Sequence, residues 1–391
     1  MKSTTLMDEK PLQGGTCSEA AETSPSLLSI YFLWPVFLAC SWTWVIGMYL
    51  PVLLRDRYGW LGVLAFAVPN VLGIMLFGWG IRNINQSRAF LHKHHSAALW
   101  FSAVTVAFHA WFFGWFWSAE LGFHPAYSIL IGLAFLTFTV ITAGLSDRVF
   151  LWISAAVYAV SLLLLVITLV SGWSFLSGSE PSPRTLYWPS AASGAWVYLV
   201  PIMFMGFLTC PYLDLTFHRA YQSVGGGTNG RTIFVLFGLF FAVMITFTAV
   251  YSITGFTWFI IIHLLVQGWL TTTLHVREIV THTKFTSEGV LAKRVIRLSY
   301  ILLFIAPLPL IDYRDWFLFY GIIFPSIFLL RTVRSMRQRA EAGTLSIWVV
   351  VLFSIPFAVA GFLAGHEWAL VVPPLVVVFM SLWGGRALRG G

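Results

Sequence analysis

Charge is what this sequence has least of. Only 10% of its 391 residues are Asp, Glu, Lys or Arg, against about 25% in soluble domains. That shortage excludes a soluble globular protein of this size. Cysteine is scarce as well. Cys17, Cys40 and Cys210 stand far apart, which excludes a disulfide framework and a cysteine metal cluster. No ATP-binding motif is present, so a primary pump is not expected. No extramembrane stretch is long enough for a soluble catalytic domain. Residues 1–26 lack the basic start and short apolar core of a signal peptide and are expected to form a disordered cytoplasmic tail.

In place of charge there is apolar mass: 58% hydrophobic residues, 17% aromatic, and a mean hydropathy of +0.82. This composition defines an all-α polytopic membrane protein. A crossing helix needs about 20 predominantly apolar residues. Twelve stretches qualify, near 27–54, 59–81, 96–118, 126–145, 149–171, 194–217, 232–253, 256–276, 296–311, 315–330, 345–364 and 368–385. The formal charge of +8 then has a membrane explanation, since cytoplasmic loops collect Lys and Arg, and nucleic acid is not an expected partner. With the N-terminus inside, 19 of the 23 basic residues fall in cytoplasmic loops, and only Arg55, Arg57, Arg184 and Arg314 fall outside. Both termini are therefore expected in the cytoplasm, in a bacterial-type inner (plasma) membrane.

Two spans carry helix-weakening residues at matching places. The first has Gly47 and Pro51; the sixth has Gly206 and Pro211, 159 and 160 positions later. These spans run in opposite directions, as the first helices of two five-helix repeats must. Lipid cannot satisfy the backbone groups that a break frees, whereas an ion or polar solute can, and half-helix ends carry partial charges. The pattern is that of an inverted-repeat transporter with its site at the breaks. The competing arrangement, two parallel six-helix halves, would pair span one with span seven, and FVLFGLFFAVMITFTAV contains no proline. The expected organisation is 27–171 as the first repeat, 172–193 as an outer loop, 194–330 as the second repeat, 331–344 as a basic cytoplasmic linker, and 345–391 as a C-terminal helix pair.

At PYLDLTFHRAYQS, 211–223, followed by a glycine-rich loop, the chain resembles the sixth core helix of sodium/solute symporters. The resemblance extends loosely to the amino-acid–polyamine–cation superfamily with its LeuT-type fold. It implies ten core helices and a sodium site between the broken first helix and the eighth. The carbonyls of Val45, Ile46 and Met48 and the hydroxyls of Thr271, Thr272 and Thr273 would supply the oxygens. The Ser/Asn-rich signature usual in the eighth helix of that family is missing from GWLTTTLHVRE, 268–278.

Asp214 is the leading candidate for chemistry. An ionisable group inside an apolar segment is costly and marks function by default. His218 and Arg219 are its expected partners; the pairing suits proton coupling, and equally a salt bridge or helix cap near the cytoplasmic end of span six that locks an inner gate. Trp44, Gly47, Tyr49, Gly206, Pro211 and Tyr212 flank the breaks and are expected to line a solute pocket with His109 of span three. Trp42 has the same position, and Asn70 is a further buried polar candidate. His263 is a second intramembrane histidine. His92, His94 and His95 read as a solvated basic loop. The expected function is secondary active transport of a small polar solute, coupled to Na+ or H+, with no resident cofactor. The alternatives are an integral membrane enzyme with a histidine-lined site and a transporter-like sensor. Substrate and oligomeric state are not fixed by the sequence.

Overall fold

The structure is a computed structural model that describes residues 25–119, 121–174, 194–251, 257–283, 289–306 and, in short pieces, 352–383. The expected tail up to residue 24, most of the outer loop, the span at 315–330 and the linker 331–344 lie outside the described residues.

Among the described residues every regular element is a helix. A π-helical turn, Ser29–Leu33, leads into α1 (Trp34–Trp42), and α2 (Val45–Gly80) follows. Next come α3 (Ile84–Ala119), α4 (Pro125–Thr142) and α5 (Asp147–Ser174). A 3₁₀ turn opens α6 (Val200–Thr209); a second, Cys210–Leu213, separates it from α7 (Leu215–Ser223). Then follow α8 (Gly227–Tyr251), α9 (Thr257–Thr283), α10 (Gly289–Ile305) and α11 (Val372–Trp383).

Six segments are long and apolar enough to cross a bilayer: Arg57–Gly80, Ile84–Ala119, Pro125–Thr142, Asp147–Ile167, Gly194–Leu213 and Gly227–Val250. A bent pair, Ser29–Trp42 with Val45–Arg55, makes a seventh when its limbs are taken as one span. Twelve spans were expected. The eighth is helical as α9, but carries His263, Gln267, Thr271–Thr273 and His275 and does not join the apolar set. Hydrophobic side chains face outward along these helices. Ile141 on α4 is 71% exposed and Leu163 on α5 58%, the surface expected of helices that meet lipid rather than water.

The inner packing is aromatic. Phe77 of α2 meets Phe234 of α8 at 4.6 Å between ring centroids, and Phe113 of α3 stacks on Phe135 of α4 at 4.1 Å. Gly73 lets α2 press against the Phe207 carbonyl of α6, leaving no room for a side chain. Gly225, Gly226 and Gly227 all have positive φ (84°, 66° and 57°). Only glycine adopts such a run without strain, and the run reverses the chain between α7 and α8.

The packing partners form a regular set. α1 packs on α8, and α2 on α6. α1 packs on α9, and α3 on α7. α3 packs on α4 and α10, while α9 packs on α10 and α4. Between these lie the direct pairs α2 with α8, α3 with α9, and α1 with α7.

Candidate functional site

The first break lies at Thr43 and Trp44, ahead of the Gly47–Pro51 stretch where the sequence pointed. Thr43 (φ −76°, ψ 68°) leaves the helix, and Trp44 (φ −70°, ψ 171°) is extended. Gly47 sits a turn later inside α2, and Pro51 lies further along the same helix. A proline lacks the N–H that would close the ladder onto the residue four back, yet the chain stays helical through Pro51 and turns by 65° at the Thr43–Trp44 junction. The second break lies where the sequence pointed. Pro211 and Tyr212 belong to the 3₁₀ turn, and Asp214 (φ −78°, ψ 113°) is extended. Gly206 remains helical in α6.

Asp214 is the N-cap of α7. Its Oδ1 accepts from the Thr216 backbone N–H at 2.8 Å and the Thr216 hydroxyl at 2.6 Å. A carboxylate at a helix start satisfies orphan donors and meets the positive end of the dipole. Its Oδ2 has no hydrogen-bond partner among the described residues, although the residue is fully buried. Facing it at 4.0 Å is His275 Nε2 on α9, also buried and also without a partner. The other ring nitrogen, Nδ1, lies 3.1 Å from the Ser102 hydroxyl of α3.

The two breaks touch beside this pair. Ser41 Oγ of α1 stands 3.3 Å from Thr216 Oγ1 of α7. The Ser41 carbonyl accepts from the Trp44 indole N–H at 3.0 Å. The Trp44 ring then meets His275 edge-on, at 5.5 Å. Asp214, Thr216, Ser41, Trp44 and His275 thus close a ring of contacts around the two orphaned atoms. Trp42 and Phe101 complete the wall: Trp42 lies 4.7 Å from Trp44, and Phe101 4.8 Å from Trp44. Asn70 fixes Trp42 by accepting its indole N–H at 2.7 Å.

The partners expected for Asp214 are occupied elsewhere. His218 lies 2.8 Å from the Ser87 hydroxyl and 3.0 Å from the Tyr212 carbonyl. Arg219 forms a two-pronged pair with Glu278 of α9, at 2.5 and 3.0 Å, and reaches Asp147 of α5 at 3.2 Å. Arg277 also holds Asp147, at 2.6 Å. This network ties the start of α5, the body of α7 and the far end of α9 together at one end of the bundle.

His109 has a different task from lining a pocket. Its Nε2 accepts from the Val45 N–H at 3.3 Å, and its Nδ1 lies 2.7 Å from the Thr272 hydroxyl. Thr272 itself donates to the Gly268 carbonyl at 2.5 Å. One tautomer satisfies the chain, with the proton on Nδ1. His109 therefore caps α2 from across the bundle. Tyr49 packs away from the breaks, edge-on to Phe112 and Phe116 of α3. The Tyr212 hydroxyl reaches the Leu76 carbonyl at 3.4 Å.

The oxygen cluster between α1 and α9 uses other carbonyls than those expected. The Thr271 hydroxyl meets the carbonyls of Cys40 (2.8 Å) and Thr43 (3.3 Å), at the end of α1. Val45, Ile46 and Met48 lie past the break, within α2. Thr273 Oγ1 is buried without a partner. His263 pairs with Ser161 at 3.0 Å, against α5. Among the described residues no three His, Cys, Asp or Glu side chains converge as a metal site, the 92–95 stretch included.

His275, Ser102 and Glu278 were not singled out from sequence. His275 sits four residues past Thr271, one helical turn on and on the same face, which was a readable signal.

No family model, no curated protein and no solved structure matches the chain.

Proposed function

We propose that this chain is a secondary transporter of two inverted five-helix repeats, moving a small polar solute by alternating access. The observation that carries the reading is the junction of two broken helices around Asp214 and His275, two fully buried side chains whose facing atoms lack partners. An ionised carboxylate so enclosed costs several kcal/mol unless something compensates it. A bound and released solute or ion would supply that compensation.

The packing set supports the repeat. Exchange α1 with α6–α7, α2 with α8, α3 with α9, and α4 with α10. The pairs named above for the fold then exchange among themselves or map onto themselves, whereas the pairs of α5 and the α7 contacts with α8 and α9 find no counterpart among the described pairs. The charge bias of the loops supports an inside location for both ends. Asp214 with His275 is the natural place for a coupling proton. The carbonyls of Cys40 and Thr43 with Thr271 are the natural place for Na+, a hard cation that takes oxygen ligands, as an alternative coupling ion. The network of Asp147, Arg219, Arg277 and Glu278 closes the inner end.

The test is electrical. Purified protein in proteoliposomes on a solid-supported membrane is exposed to jumps of cationic, neutral and anionic small solutes, under proton or sodium gradients. The expected result is a saturable current for one solute class that Asp214→Asn abolishes. Silence for all classes under both gradients removes the transporter reading.

A further inference from the structure

We infer that the solute is a small primary or secondary amine in its ammonium form, held by Asp214 and His275 within the rings of Trp42, Trp44 and Phe101. The inference rests on the transporter reading of this site and adds the class of substrate.

Charge comes first. Asp214 and Glu278 are the carboxylates fully enclosed among the described residues, and Glu278 is neutralised by Arg219. Arg219 and Arg277 are committed to Glu278 and Asp147. When ionised, Asp214 therefore has no fixed cation to offset it, which repels anionic solutes and favours a positive one.

Hydrogen-bond capacity comes second. If His275 donates from Nδ1 to Ser102, its Nε2 is an acceptor facing a carboxylate oxygen. Two acceptors then stand 4.0 Å apart with nothing between them to donate. A proton on Nε2 would instead draw the two atoms into a hydrogen bond, and 4.0 Å is too long for one. The missing component is a donor with more than one N–H, and an ammonium group supplies it. A neutral hydroxyl has one donor to offer and no charge.

The walls come third. Aromatic faces attract cations, Trp most strongly. Trp44 touches Trp42, Phe101 and His275, so these rings cluster beside the histidine that carries one of the orphaned atoms. These rings are in mutual contact, so a ligand enters as the two broken helices part, and only a small one fits.

The experiment uses the full chain in detergent. Thermal unfolding and tryptophan fluorescence are followed against propylammonium, tetramethylammonium, 1-propanol and propionate. Propylammonium is expected to raise the midpoint saturably and change the fluorescence. Tetramethylammonium, a charge without N–H donors, is expected to act at least tenfold more weakly, and propanol and propionate to do nothing. Asp214→Asn is expected to lose the response; the fluorescence of the wild type provides a readout that depends on no variant folding. A response to propanol or propionate equal to that of propylammonium overturns the amine class while leaving a transporter in place. No response to propylammonium, in a protein that carries current with some other solute, overturns it equally. No response to any solute together with silent membranes removes both readings.

Discussion

Asp214 Oδ2 and His275 Nε2 face each other at 4.0 Å in a fully buried site, and neither takes a hydrogen bond from a described residue. The other carboxylate oxygen is engaged by Thr216 as a helix cap. On the proposed reading the two oxygens divide helix capping from solute binding, and substitutions can separate them. Asparagine caps as well as aspartate. Asp214→Asn is expected to keep its unfolding midpoint within a few degrees of wild type and to lose transport. Asp214→Ala loses the cap as well, at about 1 kcal/mol. Thermal unfolding run beside the transport assay checks both; wild-type transport by Asp214→Asn would sink the role given to Oδ2.

His109 joins the start of α2 to α9 through Val45 and Thr272. His109→Ala opens a cavity and strands a buried N–H, so it is expected to destabilise by about 3 kcal/mol. The loss should appear without any solute present. A variant as stable as the wild type would show that the cap is dispensable.

Arg219 and Glu278 differ from Arg219 and Asp147 in burial. Glu278 is 1% exposed, whereas Asp147 is 44% exposed. Removing Arg219 strands a buried carboxylate, which costs about 3–5 kcal/mol. Asp147→Ala acts on a solvated pair, worth about 1 kcal/mol or less. Arg219→Met combined with Glu278→Leu is expected to recover most of the loss. Unfolding of the singles and the double in one cycle checks this; equal costs for the Asp147 and Arg219 changes would contradict it.

Much of this was legible in the chain, and the unreadable parts have physical causes. Membrane location follows from composition. The second break was readable because Pro211 and Asp214 both resist helix locally, one by lacking an N–H and one by capping. The first break was misread toward Gly47 and Pro51 because local propensity pointed there. The chain in fact opens at Thr43 and Trp44, where His109, Thr271 and the Trp44 indole satisfy the freed backbone groups. His109 and Thr271 sit 64 and 228 positions from the groups they meet, and no local pattern reveals them. His218 and Arg219 were natural candidates for Asp214 by spacing on a helix, but α7 turns them toward Ser87 and Glu278. His275 was overlooked because its relation to Asp214 exists only once α7 and α9 pack.

The Thr271 hydroxyl lies within hydrogen-bond reach of the Cys40 carbonyl of α1 and the Thr43 carbonyl at the break. If sodium is the coupling ion, it sits among the same oxygens, coordinated by the Thr271 hydroxyl oxygen with its hydrogen turned away. Binding only to the folded state raises stability by mass action. NaCl is then expected to raise the unfolding midpoint saturably over matched KCl, and Thr271→Val to remove the effect. Equal midpoints in the two salts exclude sodium coupling and leave the proton at Asp214.

Alternating access itself is tested most directly at Ser41, where the two breaks meet. With Cys17, Cys40 and Cys210 replaced by alanine, Ser41→Cys is placed in oriented vesicles and exposed to a membrane-impermeant thiol reagent from one face, then the other. The expected result is labelling from both faces, slowed by bound solute. Labelling from one face alone, or from neither, would contradict a site that opens alternately to the two sides.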